Sequence, residues 1–441
     1  MGTYIPNTEK EQSKMLEAAG YKDFEDLFSC IPEELIYTKE LNLPKGKSEM
    51  QVLCEMEGLA EKNKVLRHVF RGAGAYNHYI PAIVKSVVSK EEFITAYTPY
   101  QAEISQGILQ SIFEYQTDIC ELTGMDVANA SVYDAGTAAA EAVNMCRDRK
   151  HSGCLVSEAV LPQVSGVIKT YCFAGDTPYQ TIPLKDGVTD TEELEQLLSE
   201  NSGTACVYIQ NPNYFGLFED VEKIAQITHE HGAKLVVGVN PISLGIVKTP
   251  GESGADIAVG DGQPLGLPLG FGGPYIGFMA CRKELMRNLP GRIVGQTEDS
   301  EGQKAFVLTL QAREQHIRRE KAGSNICSNE ALCALTAGVY LAAVGADGLE
   351  KTALHCMSKA AYLKNALEKI GFSPVFDRPF FHEFVTECPA DASLLSAEME
   401  QRGYLTGLPI DNNRLLWCAT EKNTKDEIDG MITVLKEVLA K

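Results

Sequence analysis

The sequence predicts an α/β protein with a mainly parallel sheet, preceded by a helical arm and followed by a small α+β module. Three observations lead there. Short β-rich runs alternate with helical periodicity through the middle of the chain, proline-broken helical pieces fill its start, and a long helical run opens its last third. At 441 residues the chain is too long for one small core. The expected divisions are a helical N-terminal arm over 1–70, a large α/β domain over 71–327 and a small α+β domain over 328–441.

In the arm, Met15, Leu16, Phe24, Leu27 and Phe28 supply apolar faces. The run from Glu49 to Leu66 puts Val52, Met56, Leu59 and Leu66 on one side of a helix. Pro6, Pro32 and Pro44 separate the pieces, and such an arm is expected to pack on a partner or a larger domain. From Phe70 the composition changes. Phe70–Tyr79 is rich in glycine and aromatics and reads as a loop, as does Tyr97-Thr98-Pro99-Tyr100-Gln101, which leads into a helix over 102–124. Helices over 137–147, 161–171, 191–200 and 221–231 each precede a strand, near Cys154, Tyr179, Ala205 and Leu235 respectively. Further strands are expected near Ile257 and Tyr275. A helical run over 328–370 breaks near Gly345-Ala346-Asp347-Gly348. The tail adds strands near Phe381 and Leu415 and helices over 392–402 and 425–439.

Composition narrows the class. Apolar residues make up 44% and charged residues 23%, as in an ordinary globular protein, and no stretch is expected to reach the length of a membrane span. The net charge of −20 argues against nucleic acid and anionic membrane as partners. Thirteen cysteines, an odd number without a C-x-x-C pair, point to a reducing compartment. The first residues show no basic region followed by an apolar core, so a cytoplasmic location is expected.

Several motifs are candidates for chemistry. Asp134–Ala139 opens a helix, a place suited to phosphate, although an ordinary capped helix explains it equally. Gln210–Gly216 directly follows a strand, at the carboxyl end of the parallel sheet where ligands bind in such folds; turn geometry alone also accounts for it. The glycine-dense Leu267–Pro274 lacks the lysine and hydroxyl of a nucleotide loop. The eight histidines show no metal-ligand spacing, and no metal is expected. Arg313–Lys321 is the clearest basic cluster, read either as a solvated or ion-paired helix face or as a docking patch for an acidic partner.

The chain resembles large enzymes that use pyridoxal phosphate (PLP), with two departures. Such a fold would carry an aspartate at the end of the strand Leu235–Val239, where this chain has Asn240. It would carry its Schiff-base lysine where this chain has Gln263, in Gly260-Asp261-Gly262-Gln263-Pro264. A neutral amide forms no imine, and asparagine brings no charge to keep a pyridinium nitrogen protonated. Lys234 and Lys283 are the nearest substitutes and read as solvent-facing.

Phe70–Tyr76, Tyr97–Gly107, Asn129-Ala130-Ser131, Thr137–Ala142 and Gly270–Pro274 together resemble the glycine-cleavage P-protein family, glycine decarboxylase. Within it, the chain is similar to the subunit equivalent to the amino-terminal half, called alpha in two-subunit versions. The resemblance implies a fold-type I PLP-transferase architecture without a PLP site of its own, and an alpha–beta heterodimer, usually doubled into a heterotetramer. It implies PLP on the beta subunit, with no catalytic or cofactor-binding residue in this chain alone. The implied reaction is that of an oxidoreductase of glycine catabolism: glycine is decarboxylated and its aminomethyl group passes to the lipoyl arm of the H-protein. Arg71, Tyr76, Tyr97, Tyr100 and Gln101 are candidates for reaching the partner's active site; the alternative for each is a purely interfacial role. Two other classes stay open: a structural scaffold without a part in the site, and a free-standing PLP decarboxylase using another lysine.

Overall fold

The computed structural model describes residues 7–96, 98–270 and 272–440, and falls into two compact units, Met1–Val65 and Leu66–Lys441. In the first unit, helices Glu9–Ala18 and Glu49–Ala60 each start in a capping box: Thr8 pairs reciprocally with Glu11, and Ser48 with Gln51. The expected apolar side of the second helix is present, but Val52, Met56 and Leu59 are all exposed. No described residue of this unit is buried.

The second unit is built on a seven-stranded sheet. Its strands are β1 (Val127–Ala128), β2 (Gly153–Ser157), β3 (Tyr179–Ile182), β4 (Thr204–Asn211), β5 (Lys234–Val239), β6 (Ile257–Asp261) and β7 (Gly277–Cys281). Their spatial order is β1-β7-β6-β5-β4-β2-β3, with only β7 antiparallel to its neighbours. Both faces are covered, which is why β4 to β7 read as near-continuous apolar runs. Side chains still alternate. Leu155, Val207, Leu235 and Phe278 enter one core, while Val156, Cys206, Val236 and Met279 enter the other. The first core includes residues of helices Gln106–Thr123, Thr191–Glu200 and Val221–Glu230; the second includes those of Ala135–Cys146 and Pro162–Ala174.

One helix, Ala331–Glu368, is long and apolar enough by length and composition to cross a membrane, against the expectation that no stretch reaches that length. Its apolar content has a second use: Ala334, Ala337, Tyr340, Ala353 and Cys356 are buried in the sheet core, and Ala360, Leu363 and Leu367 in the C-terminal one. Gly345, at φ 62°, breaks the helix where the glycine pair predicts. The C-terminal core closes around Trp417, whose indole N–H donates to Thr386 Oγ1 at 2.9 Å. Phe70 joins this core, and His68–Val69 pairs in parallel with Tyr404–Leu405. The loop after Phe70 is thereby anchored beside the C-terminal strands.

Candidate functional site

A cleft of about 460 Å³ opens at the carboxyl ends of β5 and β6. Asn240, Gly260 and Asp261 line it, together with Gly72–Tyr76, the helix start Asp134-Ala135-Gly136 and the side chains of Leu161, Val164 and Val167. This is where ligands bind in open parallel sheets. No lysine or arginine is among its described lining residues. The nearest substitutes for a Schiff-base lysine fail on position: Lys283 is exposed after β7, and the Lys234 ammonium donates to the Cys146 carbonyl at the opposite end of β5.

The two departures from a cofactor site have definite new partners. Gln263 is 1% exposed, and its amide is fully engaged. Its Oε1 accepts the Tyr76 N–H at 2.8 Å, and its Nε2 donates to the carbonyls of Tyr76 at 2.9 Å and Leu267 at 2.8 Å. Asn240 accepts the Ile242 N–H on Oδ1 at 2.9 Å, and its Nδ2 lies 3.3 Å from His382 Nε2. Burial, helped by His78, drives the His382 pKa well down, so the ring is neutral and can accept that bond. Nδ1 of His382 is buried without a partner.

The helix start that would receive a phosphate is already occupied. Asp134 Oδ1 accepts the Thr137 N–H at 2.7 Å, and Asp261 Oδ2 accepts the Ala135 N–H at 3.3 Å. Burial pushes the Asp261 carboxyl up to about 7. A phosphate here would compete for used donors and face two carboxylates. The cleft therefore does not fit PLP at either end: it lacks the amine for an imine, and its helix dipole is met by acids. The reading of a free-standing PLP decarboxylase is not favoured.

The candidate residues of the two loops divide by position. Arg71 donates from Nε to the Thr406 carbonyl at 3.1 Å and from Nη2 to that of Gly407 at 3.2 Å, which ties it to the chain's own C-terminal segment. Tyr76 is buried, donates its hydroxyl to Glu383 Oε2 at 2.8 Å, and stacks near His382 with ring centres 4.6 Å apart. Tyr97 lies outside the described residues. Tyr100 is half-buried; its hydroxyl donates to Asn329 Oδ1 at 2.5 Å and the Arg292 guanidinium sits 4.8 Å above its ring. Gln101 is exposed in the turn that precedes the helix Gln106–Thr123.

Sequence reading missed the acids behind the loop. Glu383 receives the Ala73 N–H at 2.6 Å as well as the Tyr76 hydroxyl, and burial raises its carboxyl to about 7. A Cβ on Gly72 would lie 2.4 Å from Glu383 Oε1, which explains the glycine. The one available signal was a charged residue inside the apolar run Phe380–Val385. His78, Cys356 and Glu421 also meet, with potential ligand atoms within 4.8 Å of one another, although their sequence spacing shows no metal pattern. Glu421 accepts from His78 Nδ1 at 2.8 Å, Cys356 Sγ at 3.2 Å and the Tyr79 N–H at 2.5 Å. Burial opposes its charge, yet these donors bring its pKa down to about 2, as in a hydrogen-bonded carboxylate knot. In Gln210–Gly216 the turn reading accounts for the geometry: Asn213 bonds to Gly187, Phe215, Leu217 and Glu219, while Gln210 alone faces the cleft.

A family model of the glycine cleavage system P-protein matches residues 2–435. The chain belongs to the glycine-cleavage P-protein family. It is 49% identical to the probable glycine dehydrogenase (decarboxylating) subunit 1 of Moorella thermoacetica, over 99% of this chain and 100% of that protein. A crystal structure of glycine decarboxylase (P-protein), in inhibitor-bound form, superposes with a TM-score of 0.93 at 42% identity, covering 99% of this chain and 100% of that one. An alanine–glyoxylate aminotransferase from Nostoc sp. shares the fold alone, at a TM-score of 0.61 and 16% identity, covering 92% and 98% of the two chains. This P-protein chain thus has the α/β architecture of fold-type I PLP enzymes, with Asn240 lining the cleft and Gln263 buried behind its Tyr76 loop.

Proposed function

We propose that the chain is the alpha subunit of a two-subunit glycine dehydrogenase (decarboxylating), working with a beta subunit that carries PLP. The pair decarboxylates glycine and transfers the aminomethyl group to the lipoyl arm of the H-protein. It is an α2β2 assembly in the cytoplasm. The observation that carries this reading is the fully engaged Gln263 amide, opposite a helix start capped by Asp134 and Asp261. A family member with no site for the cofactor needs a second chain that has one. The relatives at up to 49% identity over their full length are named as subunit 1, which supports the same division.

PLP on the partner supplies the electron sink that lets carbon dioxide leave. The work of this chain is to exclude water and position groups. Tyr100 and Gln101 are the residues proposed to wall the shared site, since Gln101 is exposed and Tyr100 half-buried in the loop leading to the helix Gln106–Thr123. Arg71 and Tyr76 hold the adjoining loop. The test is glycine-dependent release of carbon dioxide, measured for this chain, for the beta subunit and for the mixture, with lipoylated H-protein present. Activity only in the mixture is expected; turnover by this chain alone would overturn the reading.

A further inference from the structure

Away from the cleft, five cations converge on a second cavity of about 250 Å³: Arg147, Arg287, Arg313, Arg318 and Lys321. Only two carboxylates, Glu141 and Glu314, share its lining. Glu314 is paired with Arg292 and also lies near enough to Arg313 to favour its charge, so one carboxylate is shared among several cations. Burial raises Glu141 to about 7, so it is only partly charged near neutrality, and it accepts the Ser324 hydroxyl at 3.0 Å. None of the five cations forms an ion pair among the described residues. Arg147 and Arg313 bond to backbone carbonyls, of Gly175 and of Leu289 and Gly291, and Arg313 Nε is buried with no partner at all.

This is an unusual arrangement in a chain of net charge −20. Acids are plentiful, so grouped cations would ordinarily be compensated, and like charges around one small cavity repel each other. The segment Gln311–Lys321 is also no continuous helix face: it is a four-residue helix between two short 3₁₀ turns, and its Arg313, Arg318 and Lys321 line the same cavity as Arg287. Guanidinium groups match oxyanions by paired N–H donors, and a cavity this size admits a phosphate or a small carboxylate cluster.

We propose that this cavity is a binding site for a compact oxyanion, either a phosphate-bearing or a carboxylate-bearing small ligand. It is separate from the cleft at β5 and β6 and independent of where PLP resides. The test is isothermal titration of the full chain with inorganic phosphate and, in parallel, with citrate, at fixed ionic strength in a chloride buffer. One-to-one binding of either anion is expected, and which of the two binds identifies the ligand class. The double variant Arg287→Gln/Arg318→Gln, at exposed positions with no internal bonds to lose, should weaken it by about tenfold or more. Lys436→Gln, an exposed cation elsewhere, should leave it unchanged. Absence of binding by both anions would overturn the proposal, as would equal binding by the double variant or displacement by matched potassium chloride.

Discussion

Gln263 holds the loop at Tyr76 and the turn at Leu267 together through one side-chain amide. Its amide satisfies three buried backbone groups of Tyr76 and Leu267, and no amine can replace it at all three. Gln263→Lys would leave the Tyr76 N–H unpaired and bury an ammonium. The expected cost is about 2–4 kcal/mol of stability in urea unfolding, with no cofactor captured, because Asp134 and Asp261 still close the phosphate end. Glu383 carries a pH signature. Its carboxyl is raised from 4.5 to about 7 in the fold, so its contribution is complete below about 4.5 and is lost as pH rises through 7. Glu383→Gln removes that slope. Between pH 4.5 and 7 the parent should lose about 3 kcal/mol relative to the variant, read from urea midpoints across the range. Asn240 and Gln263 could be singled out in the sequence by resemblance to a known pattern; their partners could not, since His382 and Tyr76 are far away in the chain and no periodicity connects them.

At the level of elements, long and strongly patterned segments were readable. The helix Lys425–Leu439 has a capping box at Thr424 and Glu427 and a steady apolar face, and it forms with the expected bounds. The glycine break at Gly345 was equally plain. Two-residue strands such as Val127–Ala128 and His68–Val69 left no trace, because pairing with a distant strand, not local pattern, creates them. The hairpin Val294–Glu298 with Lys304–Leu308 escaped for a related reason: only Val294 and Phe306 are buried, so its alternation is faint. Turn glycines have a testable cost. Gly216 sits at φ 81°, and a Cβ there would lie 1.9 Å from the Glu383 carbonyl oxygen. Gly216→Ala should destabilise by about 3 kcal/mol or more, seen as a lowered thermal midpoint, whereas Gly232→Ala, with open space around it, should cost about 1–2 kcal/mol.

The whole molecule has the α/β architecture of fold-type I PLP enzymes. It has a mainly parallel sheet with both faces covered and a cleft at the carboxyl ends of β5 and β6 with no lysine among its described lining residues. On the function proposed above, its contribution is to shape a site carried by the partner. Tyr100→Ala removes the bond to Asn329 and the contact with Arg292 at the exposed loop. With assembly intact by sedimentation, the reconstituted pair should lose about tenfold to a hundredfold in turnover. Unchanged turnover would leave the loop a purely structural role. The central claim is tested most directly by the visible absorption spectrum of the purified chain with PLP, before and after adding the beta subunit. We expect no protein-bound cofactor band from the chain alone and none fixed by borohydride, with the band appearing only with the partner. A borohydride-fixed band from the chain alone would contradict the account, since it would place a working lysine in a cleft where the structure has Gln263.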